Sequence, residues 1–133
     1  MQPDTRIQQS FTIIVIDDDD TLREFVAEVL RRAHYNVLLA SGADEAFRLL
    51  EQNQVNVVIT DLIMPEKEGL ETIVELRRMY PKIKIIAMSG GALGLPWANL
   101  NSARRLGATV TLTKPFSRQE LLAEVARILE AQS

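Results

Sequence analysis

Four consecutive aspartates, Asp17 to Asp20, follow the apolar run Ile13-Ile14-Val15-Ile16. A further aspartate, Asp61, closes a second strand-like run, Val55-Asn56-Val57-Val58-Ile59-Thr60. Carboxylates crowded into one turn repel each other, so such a run needs solvent, a helix N-terminus or a cation to balance it. Asp is favoured at helix caps and first turns, which is the plain explanation for part of the run. Two parallel strands ending in carboxylates would also deliver them to one sheet edge, where open α/β sheets hold their ligands. Oxygen ligands gathered there suit a hard divalent cation, most simply Mg2+, with Mn2+ as the alternative. Two other reactive groups follow apolar runs, Ser89 before Gly90-Gly91 and Lys114 before Pro115. Taken singly, Lys114 reads as a surface lysine, Ser89 as a turn residue and Asp61 as a strand-end turn former. Their joint recurrence at strand ends carries the weight.

The elements that must position these groups alternate along the chain. Phe11–Ile16 reads as a buried strand, rich in β-branched residues. Asp20 is placed to cap a helix carrying Leu22, Phe25, Val26, Val29 and Leu30 at helical spacing. Tyr35–Ala40 reads as a second strand, and Ser41 opens a helix burying Ala46, Phe47, Leu49 and Leu50 that stops near Asn53. After Asp61 and the Met64-Pro65 loop comes a helix through Leu70, Ile73, Val74 and Met79, closed before Pro81. Ile83–Met88 and Thr109–Thr113 are the fourth and fifth strands. Ser117-Arg118-Gln119-Glu120 has the form of a capping box opening a last helix that buries Leu121, Leu122, Val125, Ile128 and Leu129. Between Gly90 and Gly107 the apolar residues lack a clean period, and the reading there is a long loop, carrying Trp97, then a short helix around Ser102–Leu106. Five strands alternating with helices imply a parallel sheet with right-handed crossovers.

Composition sets outer bounds. The chain has 133 residues, 47% of them hydrophobic, which fits one domain with its own core at 11–130, between a polar extension at 1–10 and a short tail at 131–133. With no cysteine there is no disulfide framework or thiol chemistry. No apolar run reaches the roughly 18 residues of a membrane span and the N-terminus lacks a signal-peptide core, so a cytoplasmic protein is expected. The net charge of −3 argues against a nucleic-acid partner. His34, the one histidine, lies at a helix end and reads as a capping residue.

From about Phe11 to Glu130 the chain resembles the CheY-like receiver domain of two-component response regulators. The resemblance is carried, in order, by Asp17-Asp18, by Asp61-Leu62-Ile63-Met64-Pro65 with Gly69, by Ser89, and by Lys114-Pro115-Phe116. It implies a flavodoxin-like, doubly wound sheet of strand order 2-1-3-4-5 with helices on both faces, and a cis Lys114–Pro115 bond. It also implies that Asp61 accepts a phosphoryl group from a phosphohistidine, and that Asp18, Asp61 and the Ile63 carbonyl hold Mg2+ or Mn2+. Asp17 would act through a metal-bound water, while Lys114 and Ser89 would contact the phosphoryl oxygens. The partners implied are a sensor histidine kinase or histidine phosphotransfer protein and a downstream protein target. Such a domain catalyses only its own phosphorylation and dephosphorylation.

The chain departs from the family in three places. Three residues before Lys114 the family carries an aromatic switch, whereas this chain has Thr111, which cannot swing as a ring does. The stretch from Ser89 to Gly107 is a few residues longer than in a compact receiver, so the conformational signal, and a change in Trp97 exposure, are expected there. Ile63 and Gly91 offer no side chain to orient a hydrolytic water, which favours a long-lived phosphoryl state. Two rival readings remain. Asp17-Asp18-Asp19-Asp20-Thr21-Leu22 also fits the Asp-x-Asp-x-Thr-Leu pattern of haloacid dehalogenase-type phosphatases, with Asp17 as nucleophile and Asp19 as general acid/base. A receiver-like binding module that takes no phosphoryl group is the other. No output domain is expected after the last helix, and if the chain is the whole protein, output is expected through partner binding or onward phosphotransfer.

Overall fold

The computed structural model describes residues 11–62, 69–90 and 103–130. Strands β1 (Thr12–Ile16), β2 (Asn36–Ala40), β3 (Val57–Asp61), β4 (Lys84–Ser89) and β5 (Val110–Thr113) form one sheet in the order β2-β1-β3-β4-β5. Every neighbouring pair is parallel, which is the flavodoxin-like arrangement. Between the strands run helices α1 (Asp20–Arg32), α2 (Ala43–Gln52) and α3 (Gly69–Met79), and α4 (Arg118–Glu130) follows β5. Residues 103–106 are also helical and lead into a turn at Gly107.

The central strands are apolar on both sides because both sides are covered. Successive side chains of a strand point to opposite faces. Ile13, Val15, Val57 and Ile59 therefore join α1 and α4 in one core layer. Ile14, Ile16, Val58 and Ala87 join α2, α3 and Ala103 in the other. Each fully buried Ile or Val contributes roughly 1.5–3 kcal/mol relative to exposure. Together the two layers hold the sheet rigid beneath its carboxyl edge.

Several local expectations shift. The N-cap of α1 is Asp19 rather than Asp20, because the Asp19 carboxylate accepts hydrogen bonds from the Thr21 and Leu22 amides at 3.0 and 3.2 Å. The N-cap of α2 is Gly42 and makes no side-chain cap; instead Glu45 reaches back to accept from the Ser41 amide at 2.9 Å. The Ser117–Glu120 capping box forms as read, with reciprocal bonds of 3.1 and 3.0 Å. Phe25, Val74 and Met79 are exposed, and Leu76 fills the core position of α3 that the reading passed over. The Lys114–Pro115 bond is cis.

Helix α1 ends in a Schellman motif. The Tyr35 amide donates to the Leu30 carbonyl and the His34 amide to the Arg31 carbonyl, at 3.1 and 2.9 Å. His34 occupies the left-handed position with φ 74°. Another connection escapes local reading altogether. Arg77 of α3 donates to the carbonyls of Pro81, Ile83 and Gly107 over 2.7–3.2 Å, tying the helix to the approaches of β4 and β5. Its partial burial lowers the guanidinium pKa, and Gly107 faces it with φ +131°.

Candidate functional site

β1 and β3 are adjacent and in register from Ile13 with Val57 to Ile16 with Thr60. Asp17 and Asp61 therefore leave the same sheet edge side by side. Asp61 is the last residue of β3, 7% exposed, and Asp17 is wholly buried just past β1. Carboxylate oxygens of Asp17, Asp18 and Asp61 come within 4.8 Å of one another.

The turn after β1 gives its aspartates different tasks. One oxygen of Asp17, Oδ1, accepts from the Asp19 amide at 2.9 Å. Its other oxygen, Oδ2, is buried without a hydrogen-bond partner among the described residues. Asp19 is spent on the α1 cap and lies outside the cluster, while Asp18 between them is exposed and turned into it. Burial raises the Asp17 pKa, and the charges of Asp61 and Asp18 push the same way. The Asp19 amide bond and Lys114 oppose them.

Lys114 enters from β5, where its own amide donates to the Ser89 carbonyl at 2.8 Å. Its Nζ stands 3.3 Å from Asp61 Oδ1 and 3.7 Å from Asp17 Oδ2. Ser89 ends β4 one residue beyond Met88, the register partner of Asp61. Its hydroxyl is fully buried and has no partner among the described residues. A carboxylate, an ammonium and a buried hydroxyl thus share one edge.

Gly69 fixes the approach of α3 to this edge. A Cβ at that position would overlap the Asp61 carbonyl oxygen and the Leu62 Cα. The Gly69 amide donates to the Leu62 carbonyl at 2.9 Å. Beside Lys114 an open groove of about 550 Å³ is lined by Leu22, Phe25, Pro115 and Phe116 among others.

Residues 13–126 match the family model of the response regulator receiver domain. The chain belongs to this family. Receivers of this kind are phosphoryl-accepting signalling domains of two-component systems. The chain is 33% identical over 130 residues to the sensor kinase CckA of Brucella abortus, covering 96% of this chain and 13% of that protein. It is 34% identical over 122 residues to the transcriptional regulatory protein CpxR of Klebsiella pneumoniae, covering 88% of this chain and 48% of that one. It therefore spans less than half the length of these relatives. The crystal structure of a response regulator receiver domain protein from Clostridium thermocellum superimposes with a TM-score of 0.84 at 29% identity, over 92% of this chain and 96% of that one.

Of the positions that the receiver resemblance singles out, Asp17, Asp18, Asp61 and Lys114 converge. Thr111 lies deeper, opposite Ala87 on β4, half-buried and away from the carboxylates. Ile63, Gly91 and Trp97 lie outside the described residues. Among the described residues no helix is long and apolar enough to cross a membrane. Arg23, which holds the receiver's acidic turn from below, belongs to none of the motifs that mark the site in the sequence. Its only sequence signal is an Arg three residues after Asp20 in the first turn of a helix, a spacing that brings the two side chains together.

Proposed function

We propose that Asp61 is the phosphoryl acceptor of this receiver. A carboxylate oxygen of Asp61 attacks the phosphorus of a phosphohistidine, the P–N bond breaks, and the imidazole leaves with its electron pair and takes up a proton. The product is an aspartyl phosphate. Such a transfer needs positioning and charge neutralisation more than covalent assistance. Lys114 neutralises Asp61 in the resting state and follows the charge onto a phosphoryl oxygen. The Ser89 hydroxyl donates to another.

The donor set fits Mg2+ or Mn2+: carboxylates converge, one buried oxygen of Asp17 accepts no hydrogen bond among the described residues and faces only the Lys114 ammonium at 3.7 Å, and the exposed Asp18 leaves room for waters. Asp18, Asp61 and the Ile63 carbonyl would hold the ion, with Asp17 acting through a bound water. When bound, it supplies the charge that lets an anionic phosphoryl group approach a carboxylate.

The observation that carries this reading is Lys114 Nζ at 3.3 Å from Asp61. The phosphatase reading needs Asp19 free as acid/base beside Asp17, and Asp19 is instead committed to the α1 cap. Residues 11–130 form the working unit, and its donor is a histidine kinase or a histidine phosphotransfer protein on the cytoplasmic side. Output passes to a protein target or onward by phosphotransfer.

Asp61→Asn tests the assignment. Incubated with acetyl phosphate and Mg2+, the variant should take up no phosphoryl group while its circular dichroism spectrum stays that of the parent. Normal labelling of the variant would overturn the assignment, and labelling at Asp17 would restore the phosphatase.

A further inference from the structure

Arg23 is fixed at the foot of the acidic turn. Its Nη1 donates to the backbone carbonyl of Asp17 at 2.7 Å, and its Nη2 pairs with the carboxylate of Asp20. The side chain is 14% exposed although it carries a full charge. A guanidinium withdrawn from water to this degree needs its fork of donors satisfied by fixed acceptors.

The carbonyl it holds belongs to the peptide that joins Asp17 to Asp18. Orienting that peptide sets the direction in which the Asp18 side chain leaves the backbone. On either side, the Asp17 carboxylate is tied to the Asp19 amide and the Asp19 carboxylate to the Thr21 and Leu22 amides. Among the described residues Asp18 has no such tie of its own: its direction is inherited from its neighbours and from the Asp17 carbonyl.

We infer that Arg23 is a positioning residue for the divalent cation, acting through the Asp17–Asp18 peptide to aim Asp18 into the carboxylate cluster. This rests on the reading of Asp18 as a metal ligand. The sign of the effect separates positioning from simple electrostatics. A buried cation near a cation site repels the ion, so deleting it for charge reasons alone would tighten binding. If Arg23 positions Asp18, deleting it loosens the ligand and weakens binding.

The test is calorimetric titration of the whole chain with MgCl2. Arg23→Met keeps most of the aliphatic stem and removes the fork. Its dissociation constant for Mg2+ should rise threefold or more, whereas Asp20→Asn, which leaves the Arg23 contact to the Asp17 carbonyl in place, should stay within twofold of the parent. Affinity unchanged or tightened in Arg23→Met overturns the inference. Should Arg23→Met fail to fold, Arg23→Lys keeps the charge but replaces the planar fork, whose two nitrogens reach the two acceptors separately, with a single ammonium on a shorter stem. It is then expected to weaken binding, and unchanged affinity there overturns the inference equally. Asp18→Asn is measured alongside. If it too binds Mg2+ like the parent, the metal assignment itself falls and takes this inference with it. If it binds weakly while the Arg23 variants do not, only the positioning role falls.

Discussion

The ammonium of Lys114 stands 3.3 Å from the Oδ1 of Asp61, delivered by β5 across the intervening β4. At that separation it stabilises the resting carboxylate and also opposes a second cation. Lys114→Gln should therefore bind Mg2+ more tightly, by about threefold or more, because one positive charge has left the site. The same variant should label with acetyl phosphate at least about tenfold more slowly, since a preorganised charge that stabilises the transferring group is gone. Titration calorimetry and a labelling time course read the two effects. Faster labelling would remove Lys114 from the phosphoryl site.

Asp17 gives a pH dependence with a definite sign. Burial raises its pKa above the ordinary 3.8, so the folded protein holds that proton to higher pH than the unfolded chain does. Its contribution favours folding below the ordinary value and is lost as pH rises through the raised one. Above that raised value the metal-free protein carries the cost of an ionised, buried Asp17. Asp17→Asn should stabilise it there by roughly 1 kcal/mol, with the gain fading in acid. Added Mg2+ should shrink the gain, because the ion favours the carboxylate. Urea denaturation of parent and variant in a chelator, repeated from acid to neutral pH, checks this. Parallel pH profiles would show that Asp17 does not titrate as described.

The close approach at Gly69 predicts a cost that reaches the site. A methyl group there meets backbone rather than a movable side chain, so α3 or the Asp61-Leu62 segment must shift. Gly69→Ala should lower stability by about 1–3 kcal/mol and slow labelling of Asp61 in the same protein. Denaturation midpoints and acetyl phosphate labelling measure both. A variant with parental stability would mean that this contact is looser than the backbone places it.

Most of the fold was legible because its signals are local. The apolar runs at Ile13–Ile16 and Val57–Ile59 are too β-branched and too continuous for anything but strands covered on both faces. The ordered Asp, Ser and Lys at the strand ends then had one edge to share. What escaped depends on partners distant in sequence or on fine register. Arg77 makes sense only once Pro81, Ile83 and Gly107 converge on it, and no periodicity announces that. Phe25 has the spacing of a core residue, yet it lines the groove beside Lys114 and Phe116. The cap of α1 fell one residue early because four adjacent aspartates are equally good caps in isolation. The bonds of the Asp19 carboxylate to the Thr21 and Leu22 amides, with the Asp19 amide held by Asp17, show which of them turns the chain.

His34 offers a gain in stability without touching the site. It sits at the left-handed position of the Schellman motif closing α1, with φ 74°. A residue with a Cβ is strained there by about 1 kcal/mol, whereas glycine is not. The motif also places Tyr35 against Leu30 in the core, and both bonds that build it come from backbone amides. Replacing the imidazole therefore removes none of them. His34→Gly should raise unfolding stability by about 0.5–1 kcal/mol, whereas His34→Ala, which keeps the Cβ, should gain nothing. The carboxylate cluster lies past the other end of β1 and α1, so Mg2+ affinity should be the same in all three proteins. Equilibrium urea denaturation beside titration calorimetry gives both readings. If glycine proves no better than alanine, the left-handed backbone at His34 costs nothing.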